Sequence, residues 1–169
     1  MNKKWPLFIT SIFIILFNCN NNLKVKEINF KFKNQNRTCL VEIIENKTSK
    51  IKNSLLIVLH GHNESGKFIN FRTKNNGMFI KKGMISAYPN GSGIFVHNWD
   101  DIENEIFHLN VLIDTLVSKF NIDTTRIYLA GFSQGGEIAY KMACKYPNRI
   151  AAIAYPFGNH PPHSTPCQY

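Results

Sequence analysis

Gly131-Phe132-Ser133-Gln134-Gly135 sets a serine between two glycines, behind the run Arg126–Ala130 and ahead of a helix-like stretch. The five-residue pattern G-x-S-x-G is weak alone, but its required context is a strand, a sharp turn and a helix. RIYLA followed by an amphipathic Gln134–Tyr146 supplies that order. Gly131 and Gly135 omit side chains that would collide in so tight a turn, and Gly136 lets the helix pack near the sheet. The bend lifts the Ser133 hydroxyl above the sheet at the positive end of the helix. There it can attack an ester carbonyl while the helix N-terminus helps hold the developing negative charge. The competing role is a serine that only caps a helix.

A second constellation lies upstream, Leu59-His60-Gly61-His62-Asn63. A strand ending in His-Gly ahead of such a serine is where a backbone N–H is supplied to an oxyanion hole. His62 is the expected donor there, and Gln134, just after the serine, is the other. His60 is read as structural, its imidazole packed under the loop. Asn63, Glu64 and Ser65 are candidates to cap the helix that follows.

An activated serine also needs a base and an acid, usually placed later in the chain. After Ser133 the sequence has one acid, Glu137, on the side of the serine's own helix, where it cannot orient an imidazole. His160 and His163 follow in the proline-rich GNHPPHSTPCQY, and a serine–histidine dyad with either needs hydrogen-bond reach of the hydroxyl. His97 and His108 precede the serine, and His108 is read as solvated on a helix surface. Without a base the hydroxyl stays protonated, so the isolated chain is expected to be poorly active or inert.

The elements that must position these groups alternate. Ile28–Phe32 and Leu40–Ile44 are short strands, the polar 45–53 is a hairpin or loop, and the apolar Leu55–Leu59 is a strand covered on both faces. A helix is expected from Lys67 to Lys81, then a strand over Met84–Tyr88 and a turn at PNGSG. The best helix starts near Asp100, where Asp100 and Glu103 make a capping-box pattern and Ile102, Ile106, Leu109, Ile113, Leu116 and Phe120 form a stripe. Ile150–Tyr155 is the last strand. This order predicts an α/β fold with a mainly parallel sheet between helical layers.

At 169 residues the chain fits one domain, and 44% hydrophobic with 18% charged residues is globular. The formal charge of +9 is scattered with no basic run of five, so nucleic acid is not an expected partner. Lys3, Lys4 and the apolar Trp5–Phe17 read as an export signal, too short to span a membrane. Leu16-Phe17-Asn18-Cys19 resembles a lipoprotein cleavage box with Cys19 as the lipidated residue, although Asn18 departs from the usual small residue. The alternative is a simple secretory signal. The division expected is a signal over 1–18, a polar tether over 19–27 and a partial domain over 28–169, exported and attached to membrane only through such a lipid. An oxidising envelope permits a disulfide, and Cys144 with Cys167 is the preferred pair. No cysteine pair has metal-site spacing, and nothing calls for a metal or an organic cofactor.

The segments LLIVLHGHNESG, GMISAYPNG and the stretch from Trp99 to Ala154 resemble the polyhydroxybutyrate depolymerase and feruloyl esterase group of secreted α/β-hydrolases. The resemblance implies a three-layer α/β-hydrolase fold whose C-terminal strands and helices are missing here. It implies hydrolysis of a carboxylic ester, such as a polyester or an acyl group on a polysaccharide, with Ser133 as nucleophile. Trp99 either lines the substrate cleft or packs as an anchored aromatic. On this basis the chain is an exported ester hydrolase lacking the acid and base of its triad. The alternative is a surface lipoprotein that binds a polysaccharide or ester without cutting it, and the nearest enzymatic rival is a peptidase. Ala151–Tyr155 would then be an uncovered edge strand, open to pairing with another chain.

Overall fold

A computed structural model describes residues 23–44, 50–73, 79, 82–154 and 167. The export signal, the lipidation at Cys19, and His160 and His163 lie outside the described residues. Six strands, β1 (Leu23–Phe32), β2 (Gln35–Ile44), β3 (Asn53–Leu59), β4 (Met84–Pro89), β5 (Ile122–Gly131) and β6 (Ala152–Ala154), form one sheet in the order β1-β2-β4-β3-β5-β6. The pairs β4/β3, β3/β5 and β5/β6 are parallel, while β1/β2 and β2/β4 are antiparallel. Among the described residues three helices, α1 (Gly66–Thr73), α2 (Ile102–Lys119) and α3 (Gln134–Lys145), flank it.

Alternation along the strands assigns the two faces. Leu55, Ile57 and Leu59 of β3, with Ile127 and Leu129 of β5 and Val41 of β2, pack under Ile106, Leu109 and Ile113 of α2 and Ile138 and Met142 of α3. The intervening Val58, with Tyr88 of β4, meets Ile69 of α1 on the opposite face. A three-layer arrangement follows directly from that period of two.

The first hairpin is longer than expected. β1 starts at Leu23, so Leu23–Glu27, half of the segment read as a tether, pairs with β2 in the register Leu23↔Ile44 to Phe32↔Gln35. Its turn bends at Lys33, in the left-handed region at φ 52°. No glycine marks that turn, which hid it from the sequence. Helix α2 is capped by Asp101, not Asp100: the Asp101 carboxylate accepts from the Asn104 N–H at 3.2 Å. Cys144, near the end of α3, is disulfide-bonded to Cys167.

Where α2 lies on the β1–β2 hairpin, the core holds a charged cluster. Arg37 Nη2 donates to Glu105 Oε1 at 2.5 Å, and His108 Nδ1 lies 3.0 Å from Glu105 Oε2. The His108 ring stacks on Phe30, centroids 5.3 Å apart. His108 is therefore not solvated as expected; it is 0% exposed. Burial opposes the Glu105 charge, but the hydrogen bonds from His108 and Arg37 outweigh it and hold the carboxyl below its usual range. Burial also pushes His108 below the ordinary 6.5, so the folded imidazole stays neutral.

The sign for stability follows from proton counting. Below 6.5 the unfolded His108 takes up a proton that the folded one refuses, so acid favours the unfolded chain. Glu105, depressed when folded, adds loss in the same direction at lower pH. The urea midpoint is expected to fall as pH drops below about 6.5, and His108→Gln, which keeps a donor for Glu105, should flatten that dependence.

Candidate active site

β3 and β5 are parallel neighbours paired through Leu59↔Gly131, so their carboxyl ends open on one rim of the sheet. Three residues beyond each paired position stand His62 and Gln134. Between strand β5 and helix α3 the chain turns at Ser133, with φ 52° and ψ −121°. That left-handed conformation costs a non-glycine residue of the order of 1–3 kcal/mol. The Ser133 side chain makes no cap hydrogen bond, and the residue is exposed. It does not act as the helix cap.

The turn is held from both sides. Phe132 N–H donates to Leu59 O at 3.1 Å, tying the bend to β3. A Cβ on Gly131 would stand 2.2 Å from Gly135 O, and one on Gly135 2.5 Å from His60 O. Backbone fills both places, which is why the spacing demands glycine at each.

The facing turn after β3 is equally fixed. Gly61 N–H donates to Glu64 Oε2 at 2.9 Å, Asn63 N–H to Asn98 Oδ1 at 2.7 Å and Glu64 N–H to Gly61 O at 3.4 Å. Among the described residues neither the His62 nor the Gln134 N–H has an acceptor. Two unengaged amides on the rim beside an exposed alcohol are the parts an oxyanion hole requires.

His60 is fully buried, and both ring nitrogens are engaged. Nδ1 donates to Gly61 O at 2.7 Å, and Nε2 accepts from Gly91 N–H at 3.1 Å. Burial pushes its pKa down, so it stays neutral. It is a structural imidazole, placed as the sequence suggested.

Of the two roles open to Trp99, its burial fits the packing aromatic and not the lining of a cleft: it is 0% exposed and belongs to the core. Its Nε1–H donates to His60 O at 2.9 Å, and its ring lies 4.7 Å from the His60 ring. Its backbone N–H donates to Gln134 Oε1 at 3.2 Å, while Gln134 Nε2 donates to Asp100 Oδ1 at 3.3 Å. The Gln134 side chain and Trp99 thus join the end of β3, the loop before α2 and the turn at Ser133. Sequence reasoning assigned Gln134 only its backbone N–H; the side-chain role was missed because G-x-S-x-G leaves that position variable.

Glu137 is occupied by Lys141 at 2.8 Å on the outer side of α3, away from any role beside Ser133. Among the described residues no three His, Cys, Asp or Glu side chains cluster as a metal centre would require.

Two substitutions separate strain from packing. Ser133→Gly is expected to be about 1 kcal/mol more stable than Ser133→Ala in urea unfolding, because only glycine relieves the left-handed backbone. Gly135→Ala should instead destabilise by roughly 1–3 kcal/mol through its clash with the His60 carbonyl.

Comparison with known proteins agrees with this architecture. Over 101 residues the chain is 33% identical to the bifunctional acetylxylan esterase/xylanase XynS20E of Neocallimastix patriciarum, covering 59% of this chain and 15% of that protein. It is 30% identical over 136 residues to the poly(3-hydroxybutyrate) depolymerase of Ralstonia pickettii, covering 69% of this chain and 27% of that one. A ferulic acid esterase of known structure superposes with a TM-score of 0.62 at 20% identity, covering 79% of this chain and 58% of that chain. The chain therefore spans only part of the length of the proteins it matches. Residues 40–166 match the phospholipase/carboxylesterase family, and with the strand order, the bend at Ser133 and the α/β-hydrolase relatives the chain belongs to that family of α/β-hydrolases.

Proposed function

We propose that the chain carries the nucleophile and the oxyanion-hole amides of a carboxylic ester hydrolase. The observation that supports this best is the strained, exposed Ser133 between β5 and α3. In the proposed reaction Ser133 Oγ adds to the ester carbonyl carbon and loses its proton to a base. The carbonyl oxygen, now negative, accepts from the His62 and Gln134 amides. Collapse expels the alcohol, which takes up a proton, and leaves an acyl-serine; water then releases the acid and restores the hydroxyl. Each oxyanion donor contributes about 3–4 kcal/mol to such a transition state. Ester-bearing polymers, polyester or polysaccharide, are the proposed substrates, by analogy with relatives named for them.

Among the described residues no imidazole or carboxylate bonds the Ser133 hydroxyl, which leaves as a second reading a protein that binds an ester or polysaccharide without cutting it. An extracytoplasmic location is proposed from the apolar Trp5–Phe17 and from the Cys144–Cys167 disulfide, which an oxidising compartment sustains.

Hydrolysis of para-nitrophenyl acetate separates these readings. The oxyanion amides and binding alone are expected to give at most about 10³–10⁴-fold over water, with or without the Ser133 hydroxyl. Added imidazole should raise the rate of the native chain above the rate it gives with Ser133→Ala. Equal rates for both proteins, with and without imidazole, would leave the binding reading.

A further inference from the structure

The peptide unit that carries the His62 amide is held by its opposite end. A trans peptide is planar, so its C=O and N–H point in opposite directions. In the unit joining Gly61 to His62 the carbonyl is Gly61 O, which accepts from His60 Nδ1–H at 2.7 Å and from the Glu64 N–H at 3.4 Å. With that oxygen tied, the His62 N–H has to face away from His60 and Glu64. What freedom is left lies in the torsions of Gly61, and glycine restrains its own torsions less than any other residue.

Glu64 closes that freedom. The Gly61 N–H donates to Glu64 Oε2 at 2.9 Å, so both polar groups of the glycine are bonded to the residue three positions on. The other carboxylate oxygen, Oε1, accepts from Arg72 Nη1 at 3.0 Å. The Arg72 guanidinium in turn lies 4.4 Å from the centre of the Phe132 ring, the residue before Ser133. That ring packs against the same glycine: a Cβ on Gly61 would stand 3.2 Å from both Phe132 Cδ1 and Glu64 Oε2. One carboxylate thus links the turn after β3 to the bend after β5.

Neither capping nor stability accounts for this carboxylate. Of Asn63, Glu64 and Ser65, the three candidates to cap α1, Ser65 takes the role, its Oγ accepting from the Phe68 N–H at 3.2 Å. The Arg72 and Glu64 side chains are 40% and 18% exposed, and an ion pair open to water adds little to folding. A fixed Gly61 matters if the amide that follows it has a task.

We propose that Glu64, held in place by Arg72, is a positioning residue that fixes the direction of the His62 N–H. The use of that amide in turnover rests on the hydrolase reading above; its direction does not.

The test is made on ¹⁵N-labelled full chain by nuclear magnetic resonance. The residual dipolar coupling of the His62 N–H reports its direction, and its order parameter reports its rigidity. In the native chain the order parameter is expected near about 0.85, and in Glu64→Ala below about 0.6 with a changed coupling. Glu64→Gln, which keeps an oxygen for the Gly61 N–H, should recover most of the native values. Arg72→Met, altered only at an exposed group, should loosen the amide in the same sense and by less. Loss of one oxyanion donor generally lowers kcat about 10²–10³-fold. The Ser133-dependent kcat for para-nitrophenyl acetate with imidazole should therefore fall about ten- to a hundredfold in Glu64→Ala, with KM unchanged. The proposal is overturned if the His62 values in Glu64→Ala and Arg72→Met match those of the native chain. It is also overturned if Glu64→Gln loosens the amide as much as Glu64→Ala, or if an active chain keeps its kcat in Glu64→Ala. A native chain without Ser133-dependent turnover would remove the hydrolase reading, and the couplings would still decide this one.

Discussion

The closeness of the α3 N-terminus to the end of β3 governs the rest of the structure. Gly135 lies so near that a single added carbon would stand 2.6 Å from Leu59 O as well as touching His60 O. The chain leaving β5 has no room for a wider bend, and Phe132 N–H is already bonded to Leu59 O. A left-handed serine is the conformation that satisfies both limits. Strain of this kind persists because the surrounding packing over-determines it.

Under that bend the polar groups of the core work on backbone positions more than on any ligand. Trp99 bonds the His60 carbonyl, His60 bonds the Gly91 amide and Gln134 bonds the Trp99 amide. Three loops from distant parts of the sequence are thereby held in one arrangement. The buried histidine is kept neutral by burial, consistent with a role in which one nitrogen donates and the other accepts.

How much of this could be read from the sequence depends on whether the signal is local. The bend at Ser133 was legible because glycine spacing and a strand-to-helix switch coincide within a few residues. The apolar stripe of α2 was legible for the same reason, and so was the alternation of strands with helices that yields the α/β-hydrolase fold. His108 was misread, and the role of Trp99 stayed open, because nothing beside them in sequence announces what covers them. His108 occupies a helix face that would be solvated if β1 and β2 did not cross it with Phe30 and Phe32. The Asp100–Asp101 pair offers two adjacent caps, and only the geometry of the first turn chooses the second.

Arg37 and Glu105 stand 68 residues apart in sequence and meet in the core. Loss of either one alone strands a charge where water does not reach, which generally costs about 3–5 kcal/mol. Two apolar residues of matching volume would escape that penalty, but the path to them passes through an intermediate with one orphaned ion. Descendants of this chain are thus expected to keep the pair or to exchange both members together, so that two distant columns of an alignment change in step.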